Sequence, residues 1–90
     1  MSASRSYSYK ITKTAKQDIN RLSTVVRSRI GKKLEYFIEH DDPLQFAEKL
    51  TKHKAGDYRF RIGDYRVILI VEGKTIYIVR VQHRREVYRK

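Results

Sequence analysis

The nine residues Tyr58-Arg59-Phe60-Arg61-Ile62-Gly63-Asp64-Tyr65-Arg66 alternate large apolar with cationic side chains on either side of a Gly-Asp pair. A two-residue period describes a strand with one dry and one polar face, and a Gly-first pair suits a two-residue hairpin loop. Such a loop leaves little choice of pairing. Ile62 then faces Tyr65 and Arg61 lies directly opposite Arg66, so Arg59, Arg61 and Arg66 gather on one face while Tyr58, Phe60 and Ile62 take the other. Like charges placed opposite each other destabilise a sheet by up to about 1 kcal/mol, so the arrangement makes most sense with an anion between them. A phosphate would fit.

The rest of the chain supplies the elements around this hairpin. Tyr7, Tyr9 and Ile11 alternate with polar residues as a first strand, followed by a helix start at Thr14 with Gln17 three positions on as a capping box. Ala15, Ile19 and Leu22 form one helical stripe. A second helix from about Thr24 repeats the pattern with Val26, Ile30, Leu34, Phe37 and Ile38. The cations between these stripes (Arg21, Arg27, Arg29, Lys32 and Lys33) read most simply as a solvated outer face, although a helix facing nucleic acid would look the same. Asp41-Asp42-Pro43 ends the second helix, Leu44 to Lys52 suggests a short turn of helix, and His53 to Asp57 is a basic loop containing glycine. Strands at about Tyr58 to Ile62, Tyr65 to Val71 and Thr75 to Gln82 make an antiparallel meander. The order β-α-α-β-β-β defines an α+β domain spanning residues 1–90, with two helices on one face of an antiparallel sheet and the other face available.

Two-residue pairing puts Ile68 and Ile70 with the arginines and sends Val67, Leu69 and Val71 to the Phe60 side. If the turn around Glu72-Gly73-Lys74 is even-numbered, the arginine face also receives Tyr77, Val79 and Val81, and His83 keeps the same parity. An odd turn would reverse this. The expected open face is apolar in the middle and basic at one end.

The 90 residues carry 21 basic and 10 acidic side chains, a net charge of +11. Residues 1–45 hold 9 basic against 5 acidic, and residues 46–90 hold 12 against 5. A charge of this sign favours polyanions, nucleic acid first, or an acidic protein partner. The chain has no cysteine, so neither a disulfide framework nor a thiolate nucleophile is available. That composition fits a reducing cytosol, and the absence of an apolar run near the ~20 residues of a membrane span fits a cytoplasmic protein. The three histidines have no metal-ligand spacing, and no nucleophile elbow or glycine-rich nucleotide loop occurs. Neither metal nor cofactor is expected.

The chemistry available lies in the hairpin and in the ending Val81-Gln82-His83-Arg84-Arg85-Glu86-Val87-Tyr88. Arg59, Arg61, Arg66, Arg84 and Arg85 suit phosphate binding and charge stabilisation, but arginine does not give up its proton. Proton transfer falls to His83 or Tyr88, the latter needing its pKa lowered by the surrounding cations. Taken alone, His83 reads more simply as an exposed loop residue and Tyr88 equally well as a packing anchor. Tyr65 is structural by parity, and Tyr77 reads as core or partner packing sooner than as a base-stacking platform. His40 and His53 are isolated.

The helical pair, the YRFRIGDYR hairpin and the VQHRREVY ending together resemble the RelE/ParE toxin superfamily, and most closely its RelE branch. The resemblance implies the toxin of a type II toxin–antitoxin system, a metal-independent endoribonuclease that enters the ribosomal A site, cleaves mRNA and is neutralised by a RelB-like antitoxin. Cleavage would proceed by attack of the ribose 2′-hydroxyl on phosphate, leaving a cyclic phosphate and a 5′-hydroxyl. By motif position the family's functional residues would be Arg59, Arg61, Arg66, Arg84 and Tyr88; in this scheme Arg66 and Arg84 would stabilise the phosphorane, Arg59 and Arg61 would position the backbone with Arg85 as a further phosphate contact, and Tyr88 or His83 would move protons. Members of the family can carry lysine where this chain has Arg59 and Arg61, which removes a general base from those positions. Two other functions fit the same fold: a ParE-like inhibitor that binds DNA gyrase without chemistry, and an RNA-binding module that contacts backbone alone.

Overall fold

The computed structural model describes residues 6–51 and 56–88, with residues 87 and 88 described by backbone only. The chain runs β1 (Ser8–Ile11), α1 (Lys13–Asn20), α2 (Thr24–Ile38), a 3-10 turn (Pro43–Phe46), β2 (Glu48–Lys49), β3 (Tyr58–Ile62), β4 (Tyr65–Glu72), β5 (Thr75–His83) and α3 (Arg84–Tyr88). The strands form one sheet in the order β1-β5-β4-β3-β2. The helical pair carries the chain from one sheet edge to the other, and the meander walks back. It finishes with β5 beside β1, and that last pairing is parallel, so the sheet is mixed where an antiparallel one was expected.

Helix starts follow local capping chemistry. Thr12 is extended and its hydroxyl accepts the Ala15 amide at 3.2 Å, so α1 begins at Lys13, directly after β1, and the expected Thr14–Gln17 box is not used. Ser23 does the same for α2 through the Val26 amide at 3.2 Å. At the far end His40 Nδ1 lies 2.7 Å from the Tyr36 carbonyl and its ring packs edge-on to Tyr36 and Phe46, closing the helix. The segment after Pro43 is helical only for its 3-10 turn. It then becomes β2, which pairs Glu48 with Arg59 and Lys49 with Tyr58. His53 lies outside the described residues.

Ala15, Ile30, Leu34, Phe37 and Ile38 from the helices close on Phe60, Ile62, Val67, Leu69, Ile76, Ile78 and Val81 from the sheet. The Phe37 and Phe60 rings sit 4.6 Å apart at the centre of that layer. This core fixes the register. A one-residue slip would turn Phe60, Val67 and Leu69 outward, each worth about 1.5–3 kcal/mol when buried. The observed pairing is therefore the expected one, with Ile62 opposite Tyr65 and Arg61 opposite Arg66. Arg21, Arg27, Arg29, Lys32 and Lys33 lie exposed on the helices' outer side.

Two expectations about the other face are corrected. The turn between β4 and β5 is the even one, with Gly73 at φ +59°, and Tyr77 pairs with Ile70 on the arginine side. A bulge then intervenes: Ile68 pairs with Arg80 and Leu69 with Ile78, leaving Val79 outside the register. An extra residue reverses the alternation beyond it. Val81 consequently pairs with Val67 in the core, and His83 pairs with Tyr65 instead of sharing the arginine face. The middle of that face is also covered, since Ile68 is only 1% exposed. Gly56 lies against it so closely that a Cβ would stand 2.7 Å from Ile68 Cγ2 and 2.6 Å from the Leu69 carbonyl oxygen.

Candidate functional site

The hairpin loop is built on Gly63 at φ +59°, a conformation that a side chain would strain. It brings Arg61 and Arg66 into register as direct neighbours. Their like charges are answered separately, and by the protein itself. Glu48 on β2 accepts Arg59 Nε at 2.9 Å and Nη2 at 2.8 Å on one carboxylate oxygen, and Arg61 Nη1 at 3.4 Å on the other. The anion expected between the hairpin arginines is thus partly supplied by an internal carboxylate. The Arg59 hydrogen bond, the largest cause, together with the positive fields of Arg59 and Arg61, holds the Glu48 carboxyl below its ordinary 4.5 against the opposing effect of burial.

Arg66 takes a different route. Its Nη1 donates to the carbonyls of Gly63 and Tyr65, both at 3.0 Å, so the guanidinium is fastened to its own turn. The residue is 2% exposed, and its Nε is buried without a hydrogen-bond partner among the described residues. A buried charged donor left unpaired is costly, and the two carbonyl contacts of Nη1 offset that cost only in part.

The C-terminal arm meets the hairpin at the same end of the sheet. Arg84 donates its amide to the Asp64 carbonyl at 2.7 Å, and its Nε lies 3.9 Å from the Asp64 carboxylate, with both side chains exposed. The first turn of α3 is closed by Glu86, which accepts the His83 amide at 2.9 Å. His83 Nδ1 accepts the Arg85 amide at 3.2 Å, which puts the ring proton on Nε2, and the ring stands edge-on to Tyr65 with centroids 5.2 Å apart. Arg85 is exposed. The structure therefore brings Arg61, Arg66 and Arg84 to one corner, ties Arg59 into the Glu48 clamp, and turns His83 toward Tyr65. Tyr88 ends α3; its side chain lies outside the described residues.

Behind His83, a cavity of about 190 Å³ is lined by Asp18, Arg21, Leu22, Tyr65, Val81 and Glu86. Asp18 is buried at 7% exposure and accepts Arg80 Nε at 2.8 Å and the Val81 amide at 2.9 Å. This ion pair raises the Arg80 pKa above its ordinary value, with the Asp18 hydrogen bond the largest cause. It also satisfies the Val81 amide just beyond the bulge, past the end of the β1–β5 pairing at Ile78. Asp18 and Glu48 both escape the sequence reading. Asp18 does leave a trace: it is the sole acidic residue among positions 1–34 and shares the stripe of Ala15, Ile19 and Leu22. Glu48 leaves none, because a two-residue strand has no period.

Among the described residues no three His, Asp or Glu side chains converge as a metal site requires, and no helix is long and apolar enough to cross a membrane. The mixed five-stranded sheet under two helices matches the folds of toxins solved in type II toxin–antitoxin complexes. The family model described as ParE toxin of the parDE type II system matches residues 9–88, and the chain belongs to this family, within the RelE/ParE superfamily. Toxin RelG of Mycobacterium tuberculosis is 27% identical over 86 residues, covering 93% of this chain and 98% of that protein. The toxin–antitoxin complex RelBE2 from Mycobacterium tuberculosis superposes with a TM-score of 0.70 at 27% identity, covering 86% of this chain and 96% of that one. The RelB–RelE complex from Methanococcus jannaschii gives 0.69 at 28%, covering 87% and 93%. The archaeal RelE–RelB complex from Pyrococcus horikoshii gives 0.68 at 30%, covering 88% and 96%.

Proposed function

We propose that this toxin is a ribosome-dependent, metal-independent endoribonuclease that cleaves mRNA in the A site, acts in the cytoplasm and is neutralised by a RelB-like antitoxin. The observation that carries the reading is Arg66, a guanidinium 2% exposed, fixed to the turn by Nη1 and with a buried Nε lacking a partner among the described residues. Its charge is fixed at the corner beside the exposed Arg61 and Arg84 before any substrate arrives, and a pre-placed positive field is what electrostatic stabilisation of a transition state requires.

In the reaction, the ribose 2′-oxygen bonds to the adjacent phosphorus as its proton passes to a base. The bond to the 5′-oxygen breaks as that oxygen takes up a proton, leaving a cyclic phosphate and a 5′-hydroxyl. Arg66 and Arg84 stabilise the extra negative charge on the phosphorane, and Arg59, Arg61 and Arg85 hold the flanking backbone. His83 and Tyr88 are the proton carriers, because the arginines keep their protons. His83 stands one residue before Arg84, and its Nδ1 is occupied by the Arg85 amide, which leaves Nε2 as the nitrogen to carry the proton. An acidic antitoxin complements the net charge of +11, and the three solved relatives are complexes of toxin with antitoxin.

The match to the ParE family supports a second reading, a toxin that binds and inhibits DNA gyrase without cutting anything. Incubating the protein with ribosomes translating a defined mRNA tests the first. We expect cleavage with cyclic-phosphate ends, falling by about 10²-fold or more in Arg66→Ala and Tyr88→Phe. Cutting that is unchanged in both variants would remove these residues from the site.

A further inference from the structure

Glu48 sets a carboxylate between the guanidiniums of Arg59 and Arg61. Its two carboxylate oxygens divide between the two guanidiniums, 2.8–2.9 Å to Arg59 and 3.4 Å to Arg61, much as two phosphate oxygens would. The clamp is open to solvent on its Glu48 and Arg61 side, at 43% and 56% side-chain exposure, while Arg59 is more enclosed at 20%, so water or another anion can reach it from the Arg61 side. The Arg61 half of the clamp, exposed on both sides, holds its partner weakly, so a phosphate on a strand anchored by further contacts can replace the carboxylate there first.

We propose that Glu48 is the resident anion of the Arg59–Arg61 pair, a binding-determining residue that any RNA backbone must displace before those arginines can grip it. The proposal rests on the reading that the arginine face receives RNA. It gives this face two kinds of cation. Arg84 is available at once, through an exposed guanidinium whose nearest carboxylate stands at 3.9 Å, whereas Arg66 is buried and fastened to its own turn. Arg59 and Arg61 engage only against an internal competitor. Loose polyanions are therefore discouraged, and a strand held in place by other contacts is accepted.

The test measures binding of a single-stranded RNA oligonucleotide, 2′-O-methylated throughout so that it cannot be cut, across a salt series. Glu48→Gln should bind about tenfold tighter at low salt. Its dependence of log affinity on log salt should steepen by about 0.7 for each phosphate the released pair neutralises, since arginines freed of their carboxylate now displace counterions. Glu48→Ala, which removes the carboxylate without adding a donor, should move both quantities the same way. Arg61→Ala should cost more affinity in the Glu48→Gln background than in the native one. Equal or weaker binding by both Glu48 variants overturns the proposal, as does unchanged affinity accompanied by lost cleavage, which would make Glu48 part of the chemistry instead. Because this RNA is uncleavable, a wild type that fails to cut on ribosomes refutes the nuclease reading and leaves the affinity comparison to be judged by itself.

Discussion

The molecule holds two carboxylate–arginine locks, and they differ in what surrounds them. Asp18 with Arg80 is buried on the acid side at 7% exposure, includes the Val81 amide, and sits where α1 meets the bulged strand. Glu48 with Arg59 and Arg61 is open to water and spans a two-residue edge strand. The chemistry of the pairs is the same, yet the inner lock holds its carboxylate out of solvent on Arg80 and a buried backbone amide while the outer carboxylate faces competing ions. The inner lock is structural and the outer one is displaceable.

Substitutions should separate them in order of burial. Asp18→Ala removes the acceptor of a buried amide and of a charged donor, and should lower unfolding free energy by about 2 to 3 kcal/mol in urea titration. A loss below 0.5 kcal/mol would erase the contrast. Glu48→Gln should change stability by less than about 1 kcal/mol, the range of exposed ion pairs, while altering RNA binding as described above.

The smallest effect is the pH dependence of the outer lock. The folded-state pKa of Glu48 is lowered, so its contribution to stability is fully present above its ordinary 4.5 and is lost as pH falls through the folded value. Wild type and Glu48→Gln should therefore converge in stability as the solution is acidified below pH 4.5, and raised salt should narrow their difference at neutral pH. A gap that widens on acidification would contradict the assignment of that shift to Arg59 and Arg61.

The hairpin was legible because two independent constraints, alternation and a Gly-Asp loop, agree on one register, and the core enforces it. The helices were legible by stripe, though not the cap of α1, since Thr12 ends the strand and starts the helix at once. The parity of the last strand was not, because a bulge at Val79 has no sequence mark and reverses every side chain after it. Parallel pairing of β1 with β5 joins segments more than 60 residues apart, and nothing local records it. The cations of the site could be named from sequence, but their engagement could not. Arg66 is tied to turn carbonyls and Arg59 and Arg61 to Glu48, and both depend on where the backbone passes.

The central claim is that the arginine corner acts on RNA, and a paired assay reaches it most directly. Purified protein is added to translating ribosomes carrying a defined mRNA and, separately, to DNA gyrase supercoiling relaxed plasmid. Ribosome-dependent cuts bearing 5′-hydroxyl ends, with supercoiling unaffected, are the predicted result. Intact mRNA together with arrested supercoiling would contradict the account and make the protein a gyrase inhibitor.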